Sequence, residues 1–355
     1  MEIDRLTLLK RLIDPDTFPF WVPVISHYRQ GEAGIALDPA RMLRHARQIY
    51  PYTRCWMLGG TTGDGWALDG AQYEQLLEYA CGLQANLARP ALILGALQPT
   101  TEGVVERIAL LKRRLGLTEG AGLADSLETL KKFGLIGVTI CAPVGAQVTQ
   151  DQIFRHVSRI CTESGLPVVL YQLPQVTHNL IAPETFRALL AQHQSILFFK
   201  DSGGGDEVAR SGPVQPGVVM VRGAEGGYLE ALKTEGGWYD GWLLSTGNAF
   251  AAQLAEIVNH LQRGDRPAAR AVSERLSGVV EQVFAVARLA PAGNPFSNAN
   301  RAADHLRAYG RGWAAQPLPL LQDGSNLPAG LIAQIETVLR RHDLLPEQGY
   351  LVPAL

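Results

Sequence analysis

The sequence predicts an α/β chain, a (β/α)8 TIM barrel followed by a C-terminal helical domain. Three observations lead there. Eight short apolar runs recur along most of the chain, stretches of helical period separate them, and strand-like runs stop at about Gly264, beyond which only helical spacing remains. With 355 residues and 46% hydrophobic content there is material for a large core, and 19% charged residues exclude a disordered chain or a coiled coil.

In order, the strand-like runs are Phe20 to Ile25, Cys55 to Gly59, Ala91 to Gly95, Ile136 to Cys141, Val168 to Leu173, Ile196 to Lys200, Val218 to Arg222 and Gly241 to Ser245. Each is rich in Val, Ile, Leu and aromatics and apolar on both faces, as buried parallel strands are. Between them, Tyr73, Leu76, Leu77, Ala80, Leu83 and Leu87 keep the i, i+3, i+4 spacing of a helix. Asp69 with Gln72, and Thr149 with Gln152, carry capping-box signatures at helix starts. The stretch Gly116 to Gly134 adds an extra helix, Ala124 to Phe133, before the fourth strand. Eight strand–helix units over about 240 residues fit a closed barrel; an open doubly wound sheet would use the same units. Val272, Leu276, Val279, Val280, Val283, Phe284 and Ala287, and later Leu331, Ile335, Val338 and Leu339, keep helical spacing. The expected domains are therefore a barrel of 1–263 and a helical domain of 264–355.

Lysine plus arginine is 32 and aspartate plus glutamate is 34, giving 32 − 34 = −2. Such a balance gives no general pull on nucleic acid or anionic membrane. No apolar run approaches the ~20 residues of a membrane span, and the start, MEIDRLTLLKRLIDPDTF, has no signal-peptide core. A soluble, cytoplasmic protein is expected. Four cysteines (Cys55, Cys81, Cys141, Cys161) form no CxxC pair, and the histidines show no HxH or HxxxH spacing, so no metal site is expected.

In a barrel the chemistry sits just past the C-terminal ends of the strands. The polar groups there are Ser26, His27, Thr61, Thr62, Tyr171, Lys200, Ser202, Glu225 and Ser245. Lys200 ends a run of aliphatic and aromatic residues, so its strand delivers an amine to the barrel mouth; desolvation would lower its pKa and make it nucleophilic toward a carbonyl. A lysine snorkelling from a strand end would read the same way. Tyr171 ends the preceding strand, within reach, and a phenol can ferry protons. Gly59-Gly60-Thr61-Thr62-Gly63-Asp64-Gly65 is neither a P-loop nor GxGxxG, but its N–H groups and hydroxyls suit a carboxylate.

Gly60-Thr61-Thr62-Gly63-Asp64, Tyr171-Gln172-Leu173-Pro174 and Lys200-Asp201-Ser202, with Asn294-Pro295 further on, resemble the dihydrodipicolinate synthase / N-acetylneuraminate lyase family. The resemblance implies a pyruvate-dependent class I aldolase on a (β/α)8 barrel with C-terminal helices. It implies Lys200 as the Schiff-base lysine, Tyr171 as proton donor and acceptor, and Thr61 as the relay hydroxyl. Thr62 with its neighbours would bind the pyruvate carboxylate, completed by the backbone around Leu243. Ser202, Glu225 and Ser245 match lyase positions that bind substrate hydroxyls. No metal or organic cofactor is implied, and the partners would be pyruvate and an aldehyde, in a homo-oligomer (dimer or tetramer).

Departures bear on specificity. Asp64 replaces a glutamate and Gln172 an asparagine. After Pro143 stand Val144 and Gly145 instead of two tyrosines, which leaves the relay incomplete. Val176 stands where synthases carry an arginine for the aldehyde's carboxylate, which argues against dihydrodipicolinate synthesis. The expected activity is cleavage of a hydroxylated 2-oxo acid to pyruvate, or the reverse addition. The alternatives are a dehydratase working through the same imine and a non-catalytic 2-oxo-acid-binding barrel. His27 and His178 read as structural before functional.

Overall fold

The computed structural model describes residues 3–14, 18–32, 34–118, 120–290 and 293–352. Ten strands follow in chain order: β1 (Phe20–Pro23), β2 (Tyr28–Gly31), β3 (Gly34–Leu37), β4 (Cys55–Leu58), β5 (Ala91–Gly95), β6 (Leu135–Cys141), β7 (Val168–Gln172), β8 (Ile196–Asp201), β9 (Val219–Arg222) and β10 (Gly241–Leu243). All but β2 and β3 close into a parallel barrel, in which β1 pairs with both β4 and β10. This is the (β/α)8 barrel, and the open doubly wound sheet is excluded by that closure. The pair β2–β3 is an antiparallel hairpin inserted after β1, which the eight-run reading did not foresee.

The strands match the eight apolar runs, with small differences at their ends. Extended backbone continues past β1 and β10, since Val24 N–H donates to Met57 O and Leu244 N–H to Trp21 O. At Ile25 the Asn248 side chain replaces the neighbouring strand as acceptor, at 3.0 Å. Both capping boxes form, on helices Gly70–Asn86 and Gln150–Ser164, and the extra helix spans Leu123–Phe133.

Strand alternation sorts the side chains. Trp21, Met57, Ile93, Val169, Phe198, Val221 and Leu243 fill the barrel interior, and Leu8 of helix Arg5–Leu12 joins them. Arg5 anchors that helix: its buried guanidinium donates to the carbonyls of Ile196 (2.8 Å), Leu190 (2.6 Å) and His193 (2.7 Å). The alternate residues, such as Leu170 and Phe199, pack outward against the surrounding helices.

Helices Arg266–Ala287, Pro295–Tyr309 and Ala329–Arg341 follow helix Gly247–Gln262 and pack on one another. Among the described residues no helix is long and apolar enough to cross a membrane. Helix Pro295–Tyr309 is tied to the barrel by buried polar groups. Arg301 donates to Ser26 O (3.1 Å) and pairs with Asp64, which also accepts from the Tyr28 hydroxyl at 2.8 Å. One turn further, Asp304 accepts from Tyr350 (2.6 Å), bonds His45 Nδ1 (2.8 Å) and pairs with Arg41. Removing one partner of a buried ion pair strands the other charge. Asp64→Ala should therefore cost about 3–5 kcal/mol of stability, read from chemical denaturation; a loss below about 1 kcal/mol would match an exposed pair instead.

Candidate active site

Lys200 shares the inward face of β8 with Phe198, so strand parity aims its amine up the barrel axis, while Asp201 takes the opposite face. In the β7–β8 register Tyr171 lies directly opposite Lys200, and the Lys200 Nζ sits 4.1 Å from the centre of the Tyr171 ring. Lys200 is 3% exposed, and that burial brings its pKa down to about 7, opposed by the Cys141 thiol and Glu225. Burial drives Tyr171 the other way, well above an ordinary phenol, while the neighbouring Ser202 and Thr61 hydroxyls pull it back down. An amine that sheds its proton near neutrality and a phenol that keeps one are a nucleophile and an acid in contact.

A cavity of about 240 Å³ opens above them. Thr61, Thr62, Tyr171, Lys200, Ser202, Glu225 and Ser245 all line it. Leu243 does not: its side chain is fully buried among Trp21, Phe198 and Val221 inside the barrel. Glu225 is held by the protein itself, its carboxylate accepting from Ser245 Oγ (2.7 Å), Thr246 N–H (3.0 Å), the Thr246 hydroxyl and Tyr228 (3.3 Å). Asp64 and Gln172 face away from the cavity. Asp64 turns toward Arg301, and Gln172 Oε1 accepts from Ile181 N–H at 2.8 Å. The missing tyrosines have a backbone reason at one position, since Gly145 adopts φ +151°, where L side chains are strained.

His27 lies outside the cavity, beside Asp304 (3.6 Å) and against the His45 ring. His27, His45 and Asp304 thus bring three ligand-type side chains within 4.8 Å, a cluster the histidine spacing does not reveal. Asp304 already serves Arg41, Tyr350 and His45 with its two oxygens, and an adjacent guanidinium disfavours a further cation. His178 is an exposed residue capping the short helix Pro174–Thr177 at φ 59°.

Several contributors were not foreseen. Phe284, Arg288 and Phe296, from the C-terminal helices, form part of the cavity wall. Asn294 Nδ2 (3.0 Å) and Ser297 Oγ (3.3 Å) both donate to Thr61 O and fix the turn that presents Thr61 and Thr62. Gly223, after β9, lets the lysine pass: a Cβ there would stand 2.1 Å from Ser202 Oγ and 2.7 Å from Lys200 Cε. A glycine between a strand and a loop carries no such signal in a sequence. Gly223→Ala should displace Lys200 and cut reductive trapping of a 2-oxo acid at least about tenfold, equivalent to about 1.4 kcal/mol, with little change in Tm; wild-type trapping would contradict the close approach.

The model of the dihydrodipicolinate synthetase family matches residues 115–293, a span that contains Tyr171, Lys200, Ser202, Glu225 and Ser245. A 4-hydroxy-tetrahydrodipicolinate synthase of Gluconacetobacter diazotrophicus is 27% identical over 229 residues, covering 63% of this chain and 68% of that one. The same enzyme from an Exiguobacterium species is 25% identical over 286 residues, covering 79% and 84%. Among solved structures, the E. coli prophage protein YagE, described in complex with pyruvate, superposes with TM-score 0.69 at 17% identity, covering 91% of this chain and 98% of YagE. KD(P)GA from T. tenax gives TM-score 0.67 at 18% identity, with the same coverage of 91% and 98%. With half of its length matched by the family model, the chain belongs to the dihydrodipicolinate synthetase family.

Proposed function

We propose that the protein is a carbon–carbon lyase of the class I aldolase type, forming a Schiff base between Lys200 and pyruvate. The resulting enamine adds to an aldehyde, or pyruvate is released from a hydroxylated 2-oxo acid. The observation that carries this reading is a desolvated amine with a pKa of about 7, opposed to a high-pKa phenol at the floor of a polar cavity. Lyase chemistry at the family level agrees with the synthases it resembles, and YagE, with pyruvate bound, shares its fold.

The chemistry closes without an external proton. Lys200 attacks the pyruvate carbonyl to give a carbinolamine. Tyr171 then gives its proton to the carbinolamine hydroxyl, which leaves as water, and the iminium remains beside a phenolate. That phenolate removes a C3 proton, so the phenol is regenerated as the enamine forms. The protonated imine is the electron sink, so the proposal needs neither metal nor organic cofactor. Thr62, with the N–H groups of its turn, would hold the pyruvate carboxylate. Ser202 and Ser245 offer hydroxyls to a hydroxylated chain, while the guanidinium on the cavity wall belongs to Arg288, not to a residue at the Val176 position. Assembly as a dimer or tetramer in the cytoplasm belongs to the same proposal.

Exchange of pyruvate C3 protons with solvent deuterium, followed by NMR, tests it. Lys200→Ala should abolish exchange, because the enamine needs that amine; exchange that survives the substitution contradicts the mechanism. The pH dependence has a definite sign. The nucleophile is the neutral amine, so trapping with cyanoborohydride should rise as pH climbs through about 7 and then level off. A rise delayed toward the ordinary lysine value near 10.4 would mean that Lys200 is not desolvated in solution. Release of pyruvate from any member of a panel of 2-oxo-3-deoxy sugar acids would separate a lyase from a non-catalytic barrel.

A further inference from the structure

Tyr171 must carry a negative charge between losing one proton and gaining the next, in a place where burial disfavours that charge. The groups that stabilise it therefore govern the rate. The two positions after Pro143 supply none, since Val144 and Gly145 carry no donor side chain. The Ser202 and Thr61 hydroxyls line the same cavity as Tyr171 and pull its pKa down. A hydroxyl can equally accept from the phenol and aim its own O–H elsewhere, in which case it contributes nothing to the phenolate.

Trp66 biases the Thr61 hydroxyl toward donation. Its indole Nε1–H donates to Thr61 Oγ1 at 3.0 Å. Indole nitrogen is a donor only, so this contact fills one of the two Thr61 lone pairs, and a hydroxyl that accepts one hydrogen bond donates its own more strongly. The Trp66 ring packs against the apolar group formed by Leu97, Cys141, Tyr171 and Leu173, which fixes the indole beside the phenol it serves. The Thr61 backbone is pinned independently by Asn294 and Ser297. Both ends of the threonine are thus held, and a Thr61 O–H turned to the Tyr171 oxygen would continue the run of donors that starts at the Trp66 N–H.

We propose that Trp66 is a positioning residue that orients the Thr61 hydroxyl as a donor to Tyr171, completing within one chain the proton machinery that serves Lys200. It rests on the Lys200–pyruvate reading and deepens it. Trp66 moves no proton, and it is not among the residues that line the cavity above Lys200.

A double-mutant cycle on pyruvate C3 exchange tests it, with Trp66→Phe, Thr61→Val and the double variant measured beside wild type. Phenylalanine keeps an aromatic ring in the apolar wall and removes only the N–H. Trp66→Phe should slow exchange at saturating pyruvate by about tenfold, the scale of one lost hydrogen bond to a charged group. The KM for pyruvate and the yield of the borohydride-trapped Lys200 adduct should stay at wild-type values. Adding Trp66→Phe to Thr61→Val should cost nothing further, because the indole acts through that hydroxyl. Exchange by Trp66→Phe within about twofold of wild type, or losses that multiply in the double variant, would overturn the proposal, the latter marking a general packing role. Should phenylalanine not be tolerated, Trp66→Met also lacks the N–H and carries the same expectations. Absence of any Lys200 adduct in the wild-type protein would instead overturn the Schiff-base reading itself, and this inference with it.

Discussion

The arrangement at the barrel mouth depends on withdrawing one ammonium from water. An isolated charge in an apolar interior is so costly that the group gives up its proton instead. β8 enforces this withdrawal, because a strand that buries Phe198 inside the barrel must also point Lys200 inward two residues later. Tyr171, opposite in register, closes the site from the neighbouring strand, and Gly223 removes the side chain that would block the lysine's path. None of these features is a charge partner within hydrogen-bonding distance of the amine. The lowered pKa therefore follows from the fold's geometry more than from any single contact.

The C-terminal helices are part of the same machinery. Helix Pro295–Tyr309 reaches the barrel at several points along its length. Asn294 and Ser297 grip the carbonyl of Thr61, Arg301 spans Ser26 and Asp64, and Asp304 gathers Arg41, His45 and Tyr350. The turn carrying Thr61 and Thr62 is short and glycine-rich. Its own N–H groups on the Gly60 and Thr61 carbonyls and the Ser26 hydroxyl on Gly63 O hold it, and that helix adds the contacts at Thr61 O that link the buried network to the cavity. Buried polar groups satisfied on every side specify a geometry more sharply than apolar packing does.

The strands, the capping boxes, the extra helix and the pairing of Lys200 with Tyr171 were legible because they rest on local period and strand order. Period 2 places Lys200 and Phe198 on one face whatever the rest of the chain does. Leu243 was read as completing the cavity through its backbone, and the structure brings Ser245 to the wall two residues later while Leu243 packs inside the barrel. The roles of Gly223 and Trp66 were not legible, since each depends on a neighbour supplied by a different loop. The same holds for His27, His45 and Asp304, where His45 and Asp304 lie 259 residues apart in sequence and meet only through the packing of the C-terminal helices. The hairpin β2–β3 was missed because Tyr28–Gly31 is polar and short, and part of its stability comes from Tyr28 bonding Asp64. Asp64 itself was read against a glutamate in the glycine-rich turn, yet its charge answers Arg301 across the barrel–helix boundary.

The most direct test of the account is the intact mass of the protein after incubation with pyruvate and borohydride, followed by peptide mapping. The account predicts one reduced pyruvate adduct per chain, located on Lys200. A folded protein that gains no adduct, or gains it on another lysine, would contradict the claim that the barrel was built around this amine.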